Sequence, residues 1–178
     1  MKYLVLLRGI NVGGHNKVVM KELKASLAAV GFTNVSSYIN SGNLIFESDL
    51  SKSKVAQKVD LVLAENYIFS ITTLVISAEE YLQEFSQVPA WWGADGSLRH
   101  NALFLLPNFD VKAFQKIVQQ ISDYDQIELK SKVIFWTSTF KKNFSKSVYS
   151  KLMKEALYKD VTIRNLNTAL KLLQLLQD

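Results

Sequence analysis

The sequence predicts an α+β fold: two tandem ferredoxin-like βαββαβ repeats with an extra C-terminal helix. Three observations carry this expectation. The order strand, helix, hairpin, helix, strand can be read twice along the chain. The opening strand of each half is apolar on both of its faces. A break, "PAWWGADGS" from Pro89 to Ser97, separates the halves.

In the first half, Lys2–Leu7 reads as a strand. Met20, Leu23, Leu27 and Val30 then recur at helical spacing and Gly31 offers a stop. Val35–Ile39 and Leu44–Phe46 are strand-like around the turn composition "NSGN", Asn40 to Asn43. A serine-capped helix with Val55, Val59 and Val62 on one face follows, then the β-branched strand Ile71–Ile76. Ser77 and Glu80 have the spacing of a capping box on a short connecting helix.

The second half repeats the order. Ala102–Leu106 is a strand, and Asp110 opens a helix with Val111, Phe114, Ile117 and Ile121 inward. Gln126–Leu129 and Val133–Thr137 form a hairpin. Ser145 or Ser147 caps a helix carrying Val148, Leu152 and Ala156, and Val161–Ile163 is the sixth element. The leucine-rich stretch Leu166–Leu176 is a further helix. The expected boundaries are 1–88 for the first repeat with its connecting helix, 89–98 for the linker, and 99–178 for the second repeat with the last helix.

Strands apolar on both faces are normally covered on both. A ferredoxin-like sheet carries helices on one side only, so the partner repeat is the expected cover for the other. Trp91 and Trp92 are expected to pack at the junction rather than to stack on a ligand.

Composition narrows the chemistry. Of 178 residues 48% are hydrophobic and 21% charged, the balance of a globular protein. There is no cysteine, which excludes thiol nucleophiles, disulfides and thiolate metal sites. The apolar run Tyr3–Leu7 stops at Arg8, too short for a signal peptide or a membrane span, so a cytoplasmic location is expected. His15 and His100 have no ligand-spaced partner, so no metal site is expected, and no cofactor motif is present. The net charge of +5 comes wholly from the second half, where eight lysines face one acid, Glu155, between Lys130 and Lys159. Such a patch favours polyanions.

The most informative stretch for function is "LLRGINVGGHNK", Leu6 to Lys17. Strand order 4-1-3-2 would bring the loop after the first strand and the Asn40–Asn43 turn to one end of the repeat. Arg8, Gly9, Asn11, Gly13, Gly14, Lys17, Asn40, Ser41 and Asn43 would then surround one pocket, with glycines permitting close backbone approach and the next helix pointing amides inward. Gly9 and Gly14 have the glycine spacing of a P-loop, but His15 and Asn16 stand where Lys and Ser/Thr are required. A generic site for a small phosphate-bearing anion is what the pattern supports. Lys146, Arg164 and Asn165, at two further predicted helix starts, form a second candidate anion site.

No Ser-His-Asp set is legible, so no catalytic residue is assigned. The alternative reading is a non-enzymatic nucleic-acid-binding module that uses the lysine-rich second half. RNA-recognition motifs share the βαββαβ order, yet their basic-Gly-aromatic signature is absent from "YLVLL" and "LIFES".

"LLRGINVGGHNK" followed by "ELKASLAAVGFTNVSSYINSGNLIFES" closely resembles the bacterial domain-of-unknown-function family 1697, and the likeness continues through "SKSVYSKL" and "TIRNLNTALKLLQL". Val19 stands where that family commonly shows proline, and Leu166 where it commonly shows tryptophan. The resemblance implies a ferredoxin-like α+β fold and a bacterial source. It implies no activity and no catalytic residues.

Overall fold

The computed structural model describes residues 1–178 and divides into two compact units, Met1–Leu82 with Leu175–Asp178, and Gln83–Gln174. In the first unit the order is β1 (Lys2–Arg8), α1 (Met20–Ala29), β2 (Thr33–Tyr38), β3 (Asn43–Glu47), α2 (Lys52–Asn66) and β4 (Thr72–Ser77). The sheet runs β2-β3-β1-β4 with every neighbour antiparallel. Strand alternation turns Tyr3, Val5 and Leu7 toward the helices, where they join Leu23, Leu27, Leu44, Phe46, Val55 and Val59 in one core. Phe32 stacks on Phe46 at 4.2 Å. The other face, with Leu4, Leu6, Ile45 and Ile76, is buried as well.

Local signals explain most element ends. The Ser77–Glu80 capping box is formed in full: the Ser77 hydroxyl accepts from the Glu80 amide (3.1 Å), and Glu80 Oε2 accepts from the Ser77 amide (3.0 Å). It starts α3 (Ala78–Ser86). Ser51 holds the N-cap position of α2, but its hydroxyl meets Ser53 rather than a helix amide. Ile39 lies beyond β2 with a left-handed φ of 48° and is exposed, because the chain is already turning there.

The second unit contains β5 (Arg99–Leu105), α4 (Val111–Val118), β6 (Asp125–Leu129), β7 (Val133–Ser138), β8 (Val161–Asn165) and the start of α5 (Leu166–Gln177). Its sheet order, β6-β7-β5-β8, repeats that of the first unit. Asp110 caps α4 through the Lys112 amide at 2.8 Å. Ala113, Phe114 and Ile117 face inward, whereas Val111, the first helical residue, stays exposed. Trp92 is buried, donates its indole N–H to Asn101 O at 3.0 Å, and packs edge-on against Phe85 and Phe135. It acts as packing on the face of this sheet away from α4, where Phe85 of α3 also lies.

One expected helix is absent. Residues 144–160 form three short 3-10 turns, Phe144–Lys146, Val148–Lys154 and Ala156–Asp160. Asp125 is the reason. Its buried carboxylate accepts from Trp136 Nε1 (3.0 Å), Ser147 Oγ (2.7 Å), Val148 N (2.7 Å), Tyr149 N (3.2 Å) and Ser122 Oγ (2.9 Å). Ser147 therefore serves Asp125 and caps nothing. Glu155 breaks the run in an extended conformation, so Leu157 rather than Ala156 reaches the core beside Val148 and Leu152.

Candidate functional site

The loop after β1 is a small hairpin. Gly13 and Gly14 both have positive φ, 59° and 78°, and the His15 amide donates to Val12 O at 3.1 Å, the pattern of a type I′ turn. Asn11 N donates to Asn16 O at 3.1 Å below it. The tip projects into solvent, with Val12 exposed. Only at its base is the loop anchored, by the buried Ile10.

That base meets the β2–β3 turn. Asn11 Nδ2 donates to Asn40 O at 2.8 Å and to Val18 O at 3.0 Å, while Asn11 Oδ1 accepts from Val18 N at 2.8 Å. One side-chain amide thus ties the loop, the entry to α1 and the turn together, with both its N–H donors and its oxygen engaged. Leu7 N also donates to Gly42 O at 2.8 Å. The Arg8–Lys17 and Asn40–Asn43 segments share one rim.

The polar residues expected there take different roles. Asn16 donates to Gly9 O, and Asn43, fully buried, donates to Tyr38 O and to Ser41 Oγ. These three asparagines hold backbone. Arg8 follows Leu4 and Leu6 in the strand alternation, so it lies on the sheet face away from α1; it is half-buried and engaged in contacts. Lys17, His15 and Ser41 are exposed at the rim. α1 has no side-chain cap: Val19 occupies the N-cap position, and Leu23 N is the first amide bonded back, to Val19 O.

The set Lys146, Arg164 and Asn165 is not brought together. Arg164 is buried on the face of β8 that it shares with Ala102, donating to Thr162 Oγ1 and Ile163 O. Lys146 is exposed over the Tyr124 ring, in the segment packed on the opposite face. In the lysine-rich stretch, Lys130 pairs with Glu128 and Lys132 is half-buried, its amide donating to Glu84 Oε2 at 3.0 Å, while Lys141, Lys142, Lys146, Lys151, Lys154 and Lys159 are exposed. Phe104 and Phe135, on the face of the second sheet away from α4, are fully buried, so no aromatic platform of the RNA-recognition kind is offered. No helix is long and apolar enough to cross a membrane.

Sequence reasoning passed over Arg99 and Asn101. The signal was there: Arg99 and Asn101 stand at i and i+2, on one face of a strand whose remainder, Ala102–Leu105, is apolar.

Asn11 also supplies a test of the rim. Its φ is 52°, a conformation that glycine adopts freely. Asn11→Gly should therefore isolate the hydrogen bonds, lowering stability by about 2 kcal/mol in urea unfolding. Asn11→Ala should cost about 1 kcal/mol more through left-handed strain.

A family model described as protein of unknown function (DUF1697) matches residues 1–135. The solved structure of conserved bacterial protein SP0830 from Streptococcus pneumoniae is similar over 98% of this chain and 98% of its own, at 37% identity and a TM-score of 0.89. That similarity extends beyond residue 135, through the 3-10 turns and α5. No curated protein matches the chain.

Proposed function

Because the chain belongs to the DUF1697 family, whose description states no function, its role must be argued from its own geometry, and we propose that the rim over α1 binds a small phosphate-bearing anion. The observation that carries this reading is the uncapped start of α1, held at the rim by Asn11 with exposed Lys17 three residues ahead of the helix. Unshared first-turn amides and the helix dipole favour negative charge. Lys17 adds a mobile cation, and the exposed Ser41 hydroxyl lies on the neighbouring turn. Asn11, Asn16 and Asn43 act as the frame, and Arg8, on the far sheet face, adds charge at longer range. Glu22 in the first turn of α1 opposes binding and limits the affinity. The reading is one of binding by position and charge, with no nucleophile involved.

Thermal-shift screening with inorganic phosphate, pyrophosphate and nucleoside monophosphates tests it. A stabilising shift that is lost in Lys17→Ala is expected. Equal shifts in parent and variant would remove the rim from consideration. Shifts produced by a short oligonucleotide and abolished by moderate salt would favour the lysine-rich surface of the second half instead.

A further inference from the structure

In the second unit, a cleft combines space, a cation and unmet hydrogen-bonding groups. Its volume is about 570 Å³, within the range of small-molecule pockets. Arg99, Asn101 and Asn165 line it, with Leu98, Phe140 and Leu166 as apolar walls. Arg99 and Asn101 are alternate residues of β5 and so face the same side of the sheet; Asn165 stands opposite Asn101 on β8.

His100, which also lines the cleft, has both ring nitrogens engaged by Gly93, Thr137 and Asp95, but Arg99, Asn101 and Asn165 are under-used by the protein. Arg99 is half-buried, its guanidinium 4.6 Å from the Phe140 ring centre, 5.0 Å from Phe144 and 5.9 Å from Tyr149. It forms no ion pair with any carboxylate and has no hydrogen-bond acceptor in the chain. Tyr149 does not supply a charge, since burial pushes its hydroxyl up to about 12 and keeps the ring neutral. Aromatic rings occupy the faces of a guanidinium and leave its N–H edges to donate in plane, the arrangement that suits bidentate recognition of an oxyanion. Asn101 is 5% exposed and its Nδ2 has no partner. The Ser138 and Thr139 hydroxyls, at the end of β7, are also buried without partners, and Ser138 is paired directly with Arg99 across the ladder. Buried polar groups are nearly always satisfied, so a cluster of exceptions at one strand end calls for an external partner. Asn165 gives its Oδ1 to the Thr168 amide at 2.9 Å, which leaves its Nδ2 able to donate.

The geometry points to a second binding site, formed by Arg99, Asn101 and Asn165, for a small organic oxyanion: a carboxylate or phosphate joined to an apolar body. The charged end meets the edge of Arg99, a ligand oxygen accepts from Asn101, and the apolar body lies against Phe140, Leu98 and Leu166. A second hollow that shares Gly96, Leu98 and Phe140 with it is lined by Lys141 and Lys142. This site is independent of the anion reading for the rim.

Titration of isotope-labelled protein with sodium benzoate, read by NMR at the Asn101 side-chain amide and the Arg99 Nε–H, tests the assignment. Saturable shifts with a dissociation constant of about 1 mM or tighter are expected. Arg99→Lys, which keeps the charge but loses the planar fork, should weaken binding about tenfold, and Arg99→Met, which keeps apolar packing on the rings, should weaken it further. Lys17→Ala should leave the titration unchanged, and inorganic phosphate should bind more weakly than benzoate. Absence of saturation at about 20 mM benzoate, or undiminished binding in a folded Arg99→Met protein, would overturn the site. Phosphate binding as tightly as benzoate would overturn the role given to the apolar walls.

Discussion

Asp125→Ala should lower the unfolding free energy by about 4 kcal/mol, a large share of the roughly 5–15 kcal/mol available to a domain of this kind. The residue is buried and accepts five hydrogen bonds, from Ser122, Trp136, Ser147, Val148 and Tyr149. Its removal takes the acceptor from an indole N–H, two hydroxyls and two backbone amides, and each of these left unpaired in the interior carries a desolvation penalty. It also removes the anchor of residues 144–154, which have only 3-10 turns to hold them. Asn at this position keeps one acceptor oxygen but turns two N–H donors toward groups that also donate, so Asp125→Asn should cost about 2 kcal/mol. Urea unfolding followed at Trp136 would read both. A loss below about 0.5 kcal/mol for Asp125→Ala would show that the network is not structural.

Gly42→Ala should destabilise the first unit by about 3 kcal/mol, through two additive causes. The residue has φ +83°, a conformation that costs an L side chain about 1–2 kcal/mol. An added Cβ would lie 2.6 Å from Leu7 Cβ and 3.0 Å from Ile10 Cδ1. Leu7 Cβ is fixed to β1 and cannot step aside, and Leu7 N is bonded to Gly42 O. The loop base would have to lift from the turn, opening the rim as it did so. The expected reading is a fall of about 10 °C in melting temperature, together with loss of any anion response. A melting temperature within about 2 °C of the parent would contradict the packing described at this contact.

The two sheets were legible because period-two alternation and turn residues are local signals. Leu44–Phe46 and Val133–Thr137 lie within β3 and β7, and the Ser77–Glu80 box starts its helix as its spacing predicts. Residues 144–160 were misread as a helix because their conformation is imposed from Asp125, about twenty residues away, and no pattern within the segment records that. At the rim, sequence indicates which residues gather but not where their polar atoms point. Asn11 and Asn43 read as ligand donors, whereas each bonds to carbonyls of its own chain. The left-handed φ of Asn11 and Asn16 is the physical reason asparagine suits those places. Arg99 escaped notice because its aromatic neighbours come from positions 140, 144 and 149, far along the chain.

Amide-resolved NMR titration with pyrophosphate, compared between the parent and Lys17→Ala, puts the greatest strain on the idea of an anion seat at the start of α1. The expected result is saturable movement of the Lys17, Met20, Lys21 and Glu22 amides in the parent, falling at least about tenfold in affinity in the variant. Amides that stay still through the titration, or move equally in both proteins, would contradict it.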